Sequence, residues 1–345
     1  MQLPREVIVG TNVLGKIGEV CRGLGFHNKI IVVTGPNVYK IISNSISEPL
    51  INENFDIDYV IIEESTKDFV ELVEEKIHKV KPEVILGAGG GKDIDVAKQG
   101  AANCNTPFIS IPTAASHDGI ASSHASIKGF KQPFSKKNQA PIAIIADLDL
   151  IIKSPYRLIA SGCGDVIAKY TAIKDWELAK KIKGEYYGDY AANLALMSAK
   201  LVTESANEIR AKKEDAYRTV VEALISCGVA MSIAGSSRPC SGSEHLFAHA
   251  LDSIINNNAL HGEKCAIGTI LCSYLQKGSW KMVRRVLRII GTPVKAEELD
   301  LDGDAIVKAL LMAPKIRPDR YTILNSEKLN KRKAEEITKI TKVVD

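Results

Sequence analysis

No Cys-x-x-Cys pair occurs in the 345 residues, and the cysteines, Cys21, Cys104, Cys163, Cys227, Cys240, Cys265 and Cys272, are odd in number. That excludes a disulfide framework and reads as scattered thiols from a reducing compartment. No run of eighteen apolar residues occurs, and residues 1–6 lack a charged region leading into a long apolar stretch. Neither a transmembrane helix nor a signal peptide is expected. A formal net charge of +4 is small for this length. It gives no argument for nucleic acid, although it suits an anionic substrate. Internal repeats and low-complexity segments are missing too, and Lys212-Lys213-Glu214-Asp215 reads as a solvated helix junction. The expectation is a soluble, cytoplasmic homo-oligomer that acts on a small molecule, with no nucleic-acid partner.

What is present is an ordinary globular composition, 45% hydrophobic and 25% charged, in a chain too long for one hydrophobic core. Short β-branched runs alternate with amphipathic segments in the first half, the pattern of βαβ units. Residues 29–34 and 58–62 read as buried strands. Phe69, Leu72, Val73, Lys76, Ile77 and Val80 carry helical periodicity until Pro82 stops it. Residues 107–111 and 140–147 read as further strands, and the basic stretch 126–138 as a hairpin or flap. Beyond Pro155 helical periodicity dominates, over 156–182, 190–210, 217–233, the segment after Gly242, and 262–276. The fold class is therefore α/β: a Rossmann-like, mostly parallel sheet domain over 1–154, then an all-helical domain over 155–345.

Two loops of the first domain invite a ligand. Gly89, Gly90, Gly91, Lys92 and Asp93 follow a strand and open a helix. Glycines let the backbone approach a ligand closely, and the helix start offers free N–H groups to a pyrophosphate. A tight strand-to-helix turn that needs glycine for geometry alone is the plainer alternative. Thr113, Ser116, His117, Asp118, Ser122 and His124 follow the next strand, where open α/β sheets place ligands. A Ser/Thr helix cap with a solvated Asp118 and surface histidines is the competing account.

In the second domain three of the seven histidines, His245, His249 and His261, lie close together in sequence. On a helix after Gly242, His245 and His249 share a face one turn apart, and His261 returns from the next helix start. Such a pair is also common as half-buried imidazoles without any ligand. A catalytic zinc takes three protein ligands and keeps a position open, so a third donor is needed from upstream. Asp165 follows two glycines at what reads as a helix start, where it could simply complement the helix dipole. Cys163 beside it is the other candidate. Asp165 is preferred, because oxygen and imidazole ligands leave a metal more Lewis-acidic than thiolate does.

Five motifs in order, Gly89 to Lys98, Pro112 to Ser122, Ser161 to Asp165, Ser237 to Ala250 and Leu260 to Lys264, resemble the sn-glycerol-1-phosphate dehydrogenase family. The wider group holds glycerol dehydrogenase, iron-dependent alcohol dehydrogenases and dehydroquinate synthase, and the likeness spans about residues 1–325. The resemblance implies a nucleotide-binding domain, a helical domain and one zinc ion in the cleft between them. By similarity Asp165, His245 and His261 are the metal ligands. The glycine loop, Gly89 to Asp93, with Thr113, Ser116 and Ser122, holds NAD(H) or NADP(H), and Asp118, Asp165 and His249 contact the substrate. Archaeal members make the glycerol phosphate backbone of membrane lipids.

The reaction so implied is reversible hydride transfer between NAD(P)H and dihydroxyacetone phosphate. His249 is the expected proton donor or relay and Asp118 the partner of a substrate hydroxyl. For the phosphate, Lys264 is the first choice and Arg238 the second, with Arg317 and Arg320 behind them. Gly35, after the first clear strand, has no carboxylate to repel a 2′-phosphate, so use of both NAD and NADP is expected. The alternatives are glycerol dehydrogenase, a dehydroquinate-synthase-like lyase that eliminates phosphate, and a non-catalytic protein that binds nucleotide and metal.

Overall fold

The computed structural model describes residues 3–129, 136–255 and 258–345. They divide into two compact units, Met1–Ala115 with Gly119–Ser154, and Ser116–Asp118 with Pro155–Asp345. The three residues Ser116–Asp118 thus group with the second unit although they lie within the first in sequence.

The first unit runs β1 (Glu6–Gly10), α1 (Ile17–Gly23), β2 (Lys29–Thr34), α2 (Pro36–Asn52), β3 (Asp56–Ile61), α3 (Lys67–Val80), β4 (Val84–Gly89) and α4 (Gly91–Asn103). It continues through β5 (Phe108–Pro112), β6 (His124–Ala125), β7 (Lys136–Lys137), β8 (Ala143–Asp147) and α5 (Leu148–Lys153). Six strands form one sheet in the order β1-β8-β5-β4-β2-β3, with parallel pairing throughout. The inner strands β4, β5 and β8 are buried at every position, whereas the edge strands β1 and β3 are mostly half-buried. Continuous apolar runs are what strands covered on both faces require. Ile30, Val32, Leu86, Ile109 and Ile145 of these strands share a core with Ile17 of α1 and Ile42, Ile46 and Leu50 of α2.

From β2 the chain steps outward to β3, and from β4 it steps the opposite way to β5 and β8. The order therefore reverses between β2 and β4, and open α/β sheets bind ligands outside the carboxyl ends of the strands at such a reversal. Gly35 and Gly89 to Gly91 end those two strands. Of the expected flap over 126–138, β6 and β7 bracket it as an antiparallel pair, while 130–135 lie outside the described residues.

The second unit is helical: α6 (Tyr156–Ile167), α7 (Lys169–Lys183), α8 (Asp189–Glu204), α9 (Ala206–Arg210), α10 (Glu214–Ala234) and α11 (Ser243–Ile254). Then follow α12 (His261–Leu275), α13 (Trp280–Ile290), α14 (Gly303–Ile316), α15 (Ile323–Glu327) and α16 (Lys331–Ile340). The single helix expected over 156–182 is two, separated at Ala168, whose own dihedrals stay near helical values (φ −57, ψ −20). Likewise 190–210 divides at Ser205 into α8 and α9. By length and composition α10 could cross a membrane, but 61% of its apolar window is buried, and it packs on α8 and α6 as a core helix.

α12 packs against both α6 and α11. The approach of α6 to α12 is close enough to demand glycine. A Cβ on Gly262 would stand 1.8 Å from the carbonyl oxygen of Ser161, and one on Gly164 would stand 2.4 Å from that of Gly262. These contacts bring the residues next to them, Asp165 and His261, together.

Candidate active site

Asp165 lies in the last turn of α6, not at a helix start as its neighbouring glycines suggested. There a carboxylate opposes the helix dipole, so its charge must be balanced otherwise. Lys169, four residues on and fully buried, provides the balance with Nζ 2.6 Å from Asp165 Oδ1. Burial works against ionisation of Asp165, yet Lys169 and a hydrogen bond from His245 outweigh it and hold its pKa well below the usual carboxylate value.

His245 is in the first turn of α11 and His261 is the first residue of α12. One donor atom each from Asp165, His245, His261 and Cys265 lies within 4.8 Å of all the others, the one such cluster among the described residues. Nδ1 of His245 donates to Glu244 Oε1 across 2.8 Å, which turns Nε2 toward Asp165 Oδ1 at 3.4 Å. Glu244 is fixed in turn, accepting from the Gly242 N–H at 2.6 Å and from the Thr171 hydroxyl at 2.7 Å. Metal-binding histidines characteristically carry such a partner on the second nitrogen. For His261, burial and then the nearby His245 press its pKa well below the ordinary value, so its imidazole is neutral, the ligating form. Burial opposes a charged His245, but Cys265, Asp165 and Glu244 hold its pKa well above the ordinary value. The site selects positive charge, and two imidazoles with one carboxylate suit zinc or a similar divalent ion.

Cys163, the sulfur weighed against Asp165, is buried inside α6 and outside the cluster. The sulfur that does enter is Cys265, its Sγ 3.5 Å from His261 Nε2. Burial first, and the carboxylates Asp165 and Glu244 after it, push the Cys265 thiol up. The spacing of His261 and Cys265, one helical turn, was visible in the sequence. His249 is not among the four clustered donors, although its ring centroid is 5.9 Å from that of His261. Its Nδ1 is directed toward Asp252, 3.8 Å away, and burial holds its pKa below the ordinary value. Asp118 is not solvated. Its backbone N–H donates to Asp165 Oδ2 at 2.8 Å and its Oδ2 accepts from Lys169 at 2.8 Å.

The proposed phosphate ligands are each engaged. Lys264 Nζ pairs with Asp252. Arg238 pairs with Glu185 and donates to the Tyr321 carbonyl, while Arg320 donates to the Ser241 carbonyl and Ser237 hydroxyl. Arg317 is half-buried near Arg238 and Asp319, and burial lowers its pKa. Ser116, in the second unit, accepts from the Ser161 hydroxyl through its carbonyl.

In the first unit the glycine turn is shaped by Asp93. Gly89 has φ +152, and a Cβ there would lie 2.1 Å from Asp93 Oδ2, which also accepts the Gly90 N–H at 3.1 Å. Gly91 and Lys92 open α4, and a Cβ at Gly90 would meet nothing within 4 Å, leaving room for a ligand at the helix N-terminus. A Cβ at Gly35 would come within 3.0 Å of Asp93 Oδ1, so a larger residue there would require the Asp93 carboxylate to shift. Asp93 Oδ1 is itself buried without a hydrogen-bond partner, and burial raises the group to about 6. The Thr113 N–H is tied to the Gly89 carbonyl at 3.0 Å, and the Ser122 hydroxyl lies 3.4 Å from the His124 carbonyl. Buried Lys98 braces that loop through the carbonyls of Gly119 and His124, each at 2.7 Å, and through Asp95 at 3.2 Å.

Over its full length the chain is 49% identical to the glycerol-1-phosphate dehydrogenase [NAD(P)+] of Methanosarcina barkeri, covering 97% of that relative. The chain belongs to the glycerol-1-phosphate dehydrogenase family. The Pyrococcus furiosus enzyme of the same name is 48% identical, with all of this chain and 99% of that one covered. A family model described as iron-containing alcohol dehydrogenase matches residues 8–155. Among solved structures, glycerol dehydrogenase from Schizosaccharomyces pombe superposes with a TM-score of 0.82 at 21% identity, covering 99% of this chain and 90% of that one. At that identity the likeness speaks for the fold alone.

Proposed function

We propose that this chain catalyses the reversible NAD(P)H-dependent reduction of dihydroxyacetone phosphate to sn-glycerol 1-phosphate, a glycerol phosphate unit for membrane lipids. The observation that carries the reading is the set Asp165, His245 and His261, oriented by Glu244 and Lys169, in a chain 49% identical over its full length to an enzyme of that name. Asp165, His245 and His261 hold the metal, and Gly89, Gly90, Gly91, Lys92, Asp93, Thr113, Ser116 and Ser122 hold the nicotinamide cofactor. When bound, the cofactor supplies the hydride for C2 and a zinc ion polarises the C2 carbonyl. His249 relays a proton to the C2 oxygen in reduction and away from it in oxidation, and Asp252 sets its ring. Asp118 accepts a hydrogen bond from a substrate hydroxyl, and Lys264 meets the phosphate.

Dual cofactor use is supported by Gly35, which presents no carboxylate at the end of β2 to repel a 2′-phosphate. A cytoplasmic setting is supported by seven free cysteines, and self-association by exposed Tyr190, Met197 and Leu201 on α8. The test is a steady-state assay with purified, zinc-loaded protein. Loss of NADH or NADPH absorbance in step with dihydroxyacetone phosphate consumed supports the reading; phosphate release with no net change in NADH marks a lyase instead.

A further inference from the structure

Lys169 has no counterpart among the groups assigned to metal, cofactor or substrate, yet it joins two of them. Its side chain has no exposure to solvent, and its Nζ bridges Asp165 Oδ1 at 2.6 Å and Asp118 Oδ2 at 2.8 Å. The Asp118 N–H closes the same loop by donating to Asp165 Oδ2 at 2.8 Å. A buried ammonium is costly unless it is paired. Here it is paired with two carboxylates, one from the cluster of potential metal ligands and one on a short segment, Ser116–Asp118, that reaches the helical unit from a distant part of the sequence.

We propose that Lys169 is a positioning residue for the reduction. It clamps Asp118 at a set distance from Asp165 and takes one of its oxygens, leaving the other to accept the substrate hydroxyl. A carboxylate oxygen has more than one lone-pair site, so Asp165 Oδ1 keeps capacity for a metal beside the lysine. The carbonyl carbon and the neighbouring hydroxyl are thereby presented in one fixed geometry, which is where positioning gains rate. This inference rests on the proposed function above.

The experiment compares wild type, Asp118→Asn, Lys169→Gln and the double variant, each loaded with zinc. It reads kcat and KM for dihydroxyacetone phosphate, KM for NADPH, and metal per chain by elemental analysis after dialysis. Lys169→Gln is expected to keep its metal and its KM for NADPH while kcat/KM for dihydroxyacetone phosphate falls on the order of tenfold or more. In the Asp118→Asn background the same change is expected to cost almost nothing, because the group it positions is already gone. Independent losses that multiply overturn the inference, as does a Lys169→Gln protein that turns over normally or that comes out metal-free. If Lys169→Gln does not fold, the double variant removes one charge of each sign, and its comparison with Asp118→Asn alone decides: equal kcat/KM supports the clamp, and a further tenfold loss overturns it. Absence of turnover in wild type overturns the proposed function, and this inference with it.

Discussion

Glu244 holds Nδ1 of the adjacent His245 at 2.8 Å, which turns Nε2 toward Asp165. Adjacent residues on a helix point in different directions, so this pairing needs the particular start of α11. Gly242 lets the chain enter with its N–H on Glu244, and Asp175 of α7 accepts the Ser243 N–H at 2.6 Å. Replacing Glu244 with Ala frees the imidazole to turn. The expected result is metal affinity weaker by about ten- to hundredfold, measured by competition with a chromogenic chelator; unchanged affinity would show that packing alone orients His245.

With His245 and His261 as ligands and His249 as the proton relay, as proposed, the two roles separate by metal content. His245→Ala and His261→Ala should lose metal and activity together. His249→Ala should retain its metal while kcat drops by roughly a hundredfold or more. A His249→Ala protein that dialyses metal-free under conditions where wild type does not would move His249 into the ligand set.

Cys265 has the position of a fourth ligand, yet a closed four-donor site would leave no place for substrate. The account treats it as a thiol packed against His261. Cys265→Ser is accordingly expected to hold one metal per chain and to stay active; loss of the metal at the first dialysis step would make the site a structural one.

Phosphate recognition by Lys264 predicts an asymmetric loss. Lys264→Met should raise KM for dihydroxyacetone phosphate by about tenfold and leave dihydroxyacetone almost untouched. Lys264 also pairs with Asp252, so equal losses on both substrates would assign it to holding Asp252 and His249 in place.

Asp93 gives the first unit a pH signature. Burial raises its folded-state pKa from 3.8 to about 6. The folded protein then binds this proton more tightly than the unfolded chain does, so the group's contribution to stability is present at low pH and is lost as pH rises toward 6. Melting curves of wild type and Asp93→Asn between pH 4 and 7 should diverge, with the variant gaining relative to wild type as pH rises. Parallel curves would mean that Asp93 is solvated.

The elements were readable where one physical rule dominates. The apolar runs of β2 and β4 and the glycines after β4 each follow from burial or backbone freedom, as does the helical spacing of His245 and His249. What periodicity could not see is the division at Ala168, where the backbone keeps nearly helical dihedrals although one helix ends and the next begins. Gly162 and Gly164 before Asp165 read as a helix start, whereas α6 begins at Tyr156, and Lys169 reads as one more charged helical residue. Glu244 and Cys265 were unremarkable for a related reason: their roles depend on which neighbour α6, α7 and α12 bring opposite them. A spacing of four residues, Asp165 to Lys169 and His261 to Cys265, was the signal available for Lys169 and Cys265.

The central claim is that the carbonyl reduced is that of dihydroxyacetone phosphate and that hydride arrives on one face only. Chiral analysis of the product formed by zinc-loaded enzyme, with rates on dihydroxyacetone phosphate and dihydroxyacetone measured side by side, tests it most directly. The account predicts sn-glycerol 1-phosphate as the single enantiomer and a clear preference for the phosphorylated ketone. Formation of sn-glycerol 3-phosphate, or equal rates on the two ketones, would contradict it.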